Sequence, residues 1–530
     1  MGQQPGNKRD FTIGVYPLLP DNSCCFVVVD FDKKSWHQDV LAFTETCRLF
    51  DVPVAIERSR SGNGAHAWIF FVEQIPAALA RDLASMILTE TMERRPEIGL
   101  DSYDRLFPNQ NTVPEGGFGN LIALPLQKKP RTQGNSVFVD QNLHPYEDQW
   151  AFLSTLKRMP RGTIESLTNT AGNKGQILGI KLAIPGEDDE EPWSAPPSGR
   201  RKQKKIKGTL PAHVELTLAD QIYIPKADLP PSLINRLVRM AAFQNPEFYK
   251  RQAMRLATHA TPRIIGCAEK FPLHLGLPRG CQEEALSCFE ELGVNVTLHD
   301  KRHPGDTIKV NFTGSLREKQ KQAARSILEH ETGVLAATTA FGKTVTAAYV
   351  IAKRKVNTLV LVHNRELLDQ WLAQLNEFLD VTSNEIGQIR GGRKKPTGVI
   401  DVAMIQSLSR KGTVEDVVGN YGHVLVDECH HVPARSFESV IRKCKAKYVT
   451  GLSATVNRKD GHHPIIFMNC GPVRYRVSAK TEAAKRPFQH RVFVRDTNAT
   501  LKTKTSEAEA ENPAIHELYH DLIHSESRNE

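Results

Sequence analysis

The stretch Val334-Leu335-Ala336-Ala337-Thr338-Thr339-Ala340-Phe341-Gly342-Lys343-Thr344 narrows the possible folds of this chain more than any other. An apolar run, a loop of small residues and a Gly-Lys-Thr end read as strand, loop and helix start, the arrangement of a P-loop. In such a loop the backbone N–H groups at the helix start cradle phosphates, a lysine (Lys343) neutralises β/γ charge, and a hydroxyl (Thr344) binds Mg²⁺. Gly-Lys-Thr alone is a weak signal, but its surroundings strengthen it. Val424-Leu425-Val426-Asp427-Glu428 is an apolar strand ending in acids, where Asp427 would hold Mg²⁺ and Glu428 would orient or deprotonate an attacking water. Cys429, His430 and His431 follow directly. They are read as the tail of that acidic box in preference to a metal site.

A second centre of chemistry lies near the N-terminus. Phe26-Val27-Val28-Val29-Asp30-Phe31-Asp32 reads as a buried strand with two carboxylates two positions apart. Side chains alternate across a strand, so Asp30 and Asp32 are expected on one face, where they repel unless a cation such as Mg²⁺ or Mn²⁺ lies between them. Downstream, Ser59-Arg60-Ser61-Gly62-Asn63-Gly64-Ala65-His66 is a glycine turn that backbone can bring close to phosphates, with Ser61 and His66 as donors and Arg58 and Arg60 as flanking charge. The bland reading is a Gly-Asn-Gly hairpin between Val54–Glu57 and Ala65–Phe71. The two are compatible, since functional residues often sit on turns. Asp101-Ser102-Tyr103-Asp104 offers a third carboxylate, with Asp101 and Asp104 in competition.

These residues resemble the archaeo-eukaryotic primase superfamily, whose pattern is a strand ending D-x-D, then S-G-x-G-x-H, then a hydrophobic residue followed by Asp. The resemblance implies that Asp30, Asp32 and Asp104 hold two divalent metals, and that Ser61, Gly62, Gly64 and His66 bind the phosphates of an incoming nucleoside triphosphate. The implied chemistry is in-line phosphoryl transfer. The C-terminal half resembles the first lobe of a superfamily 2 helicase, of RecA-like parallel α/β fold. Here Gln320, Thr339, Gly342, Lys343, Thr344 and Asp427 would bind ATP, and Glu428 would be catalytic. Ser453-Ala454-Thr455 would couple hydrolysis to movement, and Arg365, in Leu359–Trp371, would touch the nucleic-acid backbone. Ala337 and Ala340 depart from the glycines usual in that loop. Arg458, Asp460, Gly461 and Pro433-Ala434 look most like the XPB-like branch. The order of the two halves resembles the primase–helicase of TOTE conflict systems. That implies DNA priming tied to a DNA-translocating motor, single-stranded or partly duplex DNA as partner, and replication or defence proteins nearby. No motif V or VI is found after Thr455, and His516–Glu530 reads as the opening helix of a second lobe. Weak or absent ATP-driven unwinding is therefore expected of these 530 residues alone.

With 530 residues the chain is too long for one core. The expected class is α/β multidomain: a mixed α/β primase palm over 1–184, a charged, proline-rich linker over 185–210, a small accessory module over 211–305, the lobe over 306–480, and a linker leading into a truncated lobe over 481–530. A net charge of +9 favours a polyanionic partner. Nine cysteines without a C-x-x-C pair argue for reduced thiols and a cytoplasmic setting and against a zinc ribbon; a prokaryotic or phage-encoded origin is what the TOTE resemblance implies. No apolar run is long enough to span a bilayer. In the accessory module, aromatic and basic residues interleave from Ala241 to Leu256. That pattern suits nucleic-acid contact and makes Arg251, Arg255 and Arg279 better candidates than Phe243 and Phe248, which read as core. Two other functions fit the same residues: a nucleic-acid sensor with an inactive polymerase half, and a translocase whose N-terminal domain only loads it on ends.

Overall fold

The valine run near the N-terminus becomes β1 (Ser23–Phe31), with Val27, Val28 and Val29 completely buried. The computed structural model describes residues 11–173, 178, 180, 206–382, 384–410, 413–456 and 460–477. After β1 come α1 (Trp36–Leu49), β2 (Ala55–Arg58), β3 (Ala65–Pro76), α2 (Ala77–Met92), β4 (Leu106–Phe107) and β5 (Val137–Val139). They form an antiparallel sheet of order β4-β1-β3-β2-β5. The apolar faces of α1 (Val40, Phe43, Cys47) and α2 (Leu83, Ile87) share a core with Val27 and Val29. The Gly-Asn-Gly hairpin is present, joining β2 to β3.

Two expected elements are shorter than their sequence patterns. The strand expected over Lys8–Pro20 shrinks, among the described residues, to Gly14–Val15, paired with Ile122–Ala123. Pro17 and Pro20 cannot donate to a ladder. The helix expected over Tyr146–Arg158 spans Gln149–Ser154, because Asp148 caps it by accepting from the backbone of Trp150 and Ala151.

The expected linker lies outside the described residues up to 205. Lys207, near its end, is described and reaches Glu90 at 2.7 Å. The next layer contains β6 (His213–Leu218), β7 (Gln221–Pro225), α3 (Pro231–Met240), α4 (Pro246–Ala253), β8 (His274–Pro278), α5 (Gln282–Glu291) and β9 (Asn295–Asp300). Asn245 caps α4 through its side chain, and Pro246 occupies the first turn, where no N–H is needed. The sheet runs from the short strand Glu269–Lys270 through β8, β7 and β6 to β9. Its core, including Leu216, Leu233, Leu277 and Phe289, is continuous with apolar residues of the following lobe such as Val424, Val440 and Ile466.

That lobe contains α6 (Glu318–Leu328), β10 (Thr332–Ala336), α7 (Lys343–Arg354), β11 (Thr358–Val362), α8 (Arg365–Phe378), β12 (Ile386–Arg390), β13 (Ile400–Met404), β14 (His423–Val426), α9 (Arg435–Lys443), β15 (Tyr448–Ser453), α10 (Pro464–Cys470) and β16 (Val473–Arg476). The sheet order is β12-β13-β11-β14-β15-β10-β16, all parallel, with Arg393–Lys395 added antiparallel beyond β12. Both faces are covered, which is why β11 and β14 are fully buried and apolar after their first residues, Thr358 and His423. The acidic box and the P-loop therefore both lie beyond the carboxyl ends of β14 and β10, the inner strands on either side of β15, the usual ligand position in open α/β sheets.

Candidate functional site

In the N-terminal half, antiparallel pairing places Asp30 opposite His66 and Glu57 opposite His66, so three strands present Asp30, His66 and Glu57 in one row. His66 Nε2 lies 3.7 Å from Asp30, and His66 Nδ1 lies 3.0 Å from Glu57 Oε2. Glu57 is 2% exposed, and its Oε2 also accepts from Trp68 Nε1 at 2.9 Å. Burial works against a charged His66, but the hydrogen bond and charge of Glu57, with Asp30 behind, raise its pKa above the ordinary value. Burial likewise raises Asp30, against the pull of His66 and Arg105. Ser61 is exposed at the hairpin turn, with its Oγ 3.2 Å from Ser59 Oγ. Gly64 is buried where a Cβ would stand 2.7 Å from the Phe31 carbonyl oxygen, so the turn closes onto the end of β1 only without a side chain.

The three expected carboxylates are not gathered. Among the described residues no group of three or more His, Cys, Asp and Glu is placed to hold a metal. Asp32 is ion-paired with Arg105, which also approaches Asp101 at 3.6 Å, and Lys33 meets Asp101 at 2.7 Å. Asp104 turns away from this group and accepts from the Arg263 backbone N–H at 2.7 Å. Burial pushes its pKa up to about 6, with Arg263 and Arg81 acting against the rise. The reason is register: β4 runs antiparallel to β1 with Leu106 opposite Val29, and the Asp30 N–H bonds the Arg105 carbonyl. Arg105 thus takes the place beside Asp30, while Asp104 ends the 3-10 turn Leu100–Asp104 ahead of β4 and is held by the Arg263 backbone. By chemistry Asp30 and Asp32 fit a hard divalent cation. Arg105 supplies the positive charge beside Asp32.

Glu57 was missed by sequence reading. Its signal was a lone carboxylate within an apolar strand, nine positions before His66.

In the lobe, Gly342 takes φ +84°, and a Cβ there would meet Gln320 Nε2 at 2.5 Å. Gln320 is buried, accepts from the Arg317 N–H and donates to the Phe341 carbonyl, holding the loop from behind. Thr339 lies in the one-turn helix Thr339–Phe341, and Thr344 is half-buried in the first turn of α7. The Thr338 hydroxyl is buried at the loop start without a hydrogen-bond partner among the described residues, and its O–H can donate to a phosphate oxygen. Lys343 Nζ lies 3.2 Å from Glu428, and His430 Nδ1 lies 3.2 Å from the other Glu428 oxygen. Against burial, these partners hold Glu428 at a pKa of about 2. Asp427 accepts from Trp371 Nε1 at 2.8 Å, and burial raises its pKa. His430 is also 3.0 Å from Ser453 Oγ, whose turn includes Thr455 and encloses Ala454, so the acidic box touches the Ser-Ala-Thr segment. Arg365 is exposed at the start of α8 and lies 3.6 Å from Asp369. Arg458 lies outside the described residues, as does the helix expected over His516–Glu530.

Of the three accessory-module arginines, Arg279 is a correction. It is 6% exposed and turns its guanidinium inward onto the carbonyls of Ala446, at 2.9 Å, and Cys444, away from any phosphate in solvent. A basic residue in a turn looks the same in sequence whether it faces water or caps a neighbouring helix end. Arg251 donates to the Ala257 carbonyl, while Arg255 is exposed. Phe243 and Phe248 are buried.

The two clusters lie in two stretches of the chain that match separate families. Residues 6–167 match the family described as TOTE conflict system, Archaeo-Eukaryotic Primase domain, and residues 313–458 match Type III restriction enzyme, res subunit. Among curated proteins, the chain is 28% identical over 190 residues to DNA 3'-5' translocase XPB2 of Sulfurisphaera tokodaii, covering 35% of this chain and 42% of that protein. It is 32% identical over 166 residues to DNA 3'-5' helicase XPB of Kineococcus radiotolerans, covering 30% of each. The chain thus spans less than half of the length of these relatives. Among solved structures, the UvsW helicase from Bacteriophage T4 aligns at 15% identity and TM-score 0.38, covering 49% of this chain and 99% of that one.

Proposed function

We propose that the N-terminal half carries out template-directed nucleotidyl transfer and that the C-terminal lobe binds and hydrolyses ATP while the chain is held on single-stranded or partly duplex DNA. The row Asp30–His66–Glu57 at the glycine turn carries the reading. It places an imidazole of raised pKa, fixed by a buried carboxylate, beside an acidic strand end and the glycine turn. Ser61, Gly62, Gly64 and His66 bind the triphosphate, with His66 Nε2 as the donor. Asp30 and Asp32 hold Mg²⁺ or Mn²⁺, with Asp104 or Asp101 as the third carboxylate, and the ions stabilise the attacking and leaving oxygens when bound. Taking up an ion at Asp32 requires Arg105 to release it. In the lobe, Lys343 leaves Glu428 for the phosphates, which frees that carboxylate to orient water. Arg365 touches the DNA backbone, and Ser453–Thr455 transmits the change. The relatives' names support DNA as the polymer and the motor as XPB-like. Among the described residues no helix is long and apolar enough to cross a membrane.

The test is synthesis on single-stranded DNA with mixed nucleotides and Mg²⁺ or Mn²⁺, with and without a primer. Product from the wild type and none from Asp30→Ala/Asp32→Ala is the expected result. No product under either metal from folded protein overturns it. One observation favours a second reading, a translocase with a non-catalytic N-terminal domain: the three carboxylates are apart and Asp32 is already paired. That reading requires DNA-stimulated ATPase, in a chain extended through a second lobe, that Asp30→Ala leaves unchanged.

A further inference from the structure

Large apolar side chains that face water are concentrated at one place. Phe11, Ile13, Tyr16, Phe118, Leu121 and Leu124 are 38–68% exposed, and all six belong to the ribbon Gly14–Val15/Ile122–Ala123 or its flanking loops. The rings of Tyr16 and Phe118 lie 5.2 Å apart, tilted at 34°. Next along the surface, the Glu115 N–H bonds the carbonyl of Arg255, which stands exposed between exposed Met254 and Leu256. Gln127 stitches the ribbon by bonding the backbone of Ile13 and Leu124, and the next turn, Lys128–Arg131, presents Lys128, Lys129 and Arg131 to solvent.

The same ribbon abuts the glycine turn. Arg60 bonds Thr12, and Ser136, which bonds the Gln127 N–H, lies 3.4 Å from Glu57. Over 114–131 the surface carries three basic residues, Lys128, Lys129 and Arg131, and one acid, Glu115, with Arg60 and Arg255 beyond its two ends.

We propose that this face binds single-stranded nucleic acid, with bases stacked on Tyr16 and Phe118 and phosphates held by Lys128, Lys129, Arg131 and Arg255, and that the bound strand leads to the glycine turn as the template. The template assignment rests on the polymerase reading above; binding itself does not. Exposed rings bordered by cations suit a strand whose bases are unstacked and whose backbone is a polyanion. A duplex has no free base faces for the rings. A protein partner would account for the apolar area, but would leave five cations around it without counterparts.

Phe118→Trp makes the platform its own reporter, because a stacked base quenches indole fluorescence. The full chain carrying this change is titrated with an unlabelled thymidine oligonucleotide of about 20 nucleotides, the wild type supplying the background of the five native tryptophans. Saturable quenching that weakens as salt rises is expected. A labelled oligonucleotide is expected to bind about tenfold or more weakly to Tyr16→Ala/Phe118→Ala, and to show a shallower salt slope with Lys128→Ala/Lys129→Ala/Arg131→Ala. Adding Asp30→Ala/Asp32→Ala is expected to abolish synthesis and keep the quench, so a failed polymerase and a failed platform are told apart. Absence of quenching at an oligonucleotide concentration that saturates the chain overturns the proposal. So does a fluorescence change that follows protein concentration and not oligonucleotide, which would mark a contact between chains.

Discussion

Glu57 decides what His66 can do. A carboxylate 2% exposed is costly unless each oxygen is used, and this one takes donors from His66, Trp68 and Ser136. In return it fixes the imidazole so that Nε2 faces Asp30 and the turn. Glu57→Gln keeps the shape and removes the charge, so His66 loses the larger of the two charges that raise its pKa. Nucleotide affinity is expected to fall about 10–100-fold, the range for an outer partner of a liganding histidine, and the limb on which affinity is lost as pH rises through the His66 pKa is expected to move to lower pH. An NMR titration of His66 alongside nucleotide binding checks both. An unchanged limb would leave Glu57 a structural role only. Sequence reading reached Asp30, Ser61 and His66 because their spacing is local. Glu57 becomes visible only when two strands are in register, and Asp104 meets the Arg263 backbone, 159 residues on, only once the chain is folded.

Strands and helices with long periods were legible: helical spacing over His37–Phe50 and Ala77–Arg94 lies within two residues of the ends of α1 and α2, and the P-loop lies between β10 and α7 as its pattern requires. What was not legible was which polar residues the strands bury. β14 carries His423, fully buried and 3.1 Å from Thr450 Oγ1 on β15. Burial, with Arg354 nearby, pushes its pKa well below the ordinary value. The folded chain keeps this imidazole neutral, while the unfolded chain protonates it below about pH 6.5. Its contribution is therefore present above that pH and lost as pH falls. The melting temperature of the wild type is expected to drop more between pH 7.5 and 5.5 than that of His423→Gln, whose amide keeps a bond to Thr450. Parallel curves would remove His423 from the account.

Across the whole molecule, the accessory layer is bonded on both sides. Toward the N-terminal half, Arg263 holds Asp104 through its backbone and Ser85 through its guanidinium, and Arg239 reaches Tyr103 at 2.8 Å. Toward the lobe, Asn245 Oδ1 lies 3.1 Å from His462 Nε2, and Arg279 takes the carbonyls that close α9. Composition suggested a separable module. The continuous core and these buried donors make it a seam, because the apolar faces of its elements have no other cover. The two exposed-looking arginines of the sequence then part ways in a test. Arg279→Ala strands buried carbonyls, at about 1.5–3 kcal/mol for hydrogen bonds from a charged group, and is expected to lower the melting temperature while oligonucleotide affinity, measured well below it, stays put. Arg255→Ala removes only a solvent-facing charge, and is expected to leave melting unchanged and weaken binding in a salt-dependent way. If Arg279→Ala instead lost affinity with its melting intact, the buried-cap assignment would be wrong and the seam would have a face toward nucleic acid.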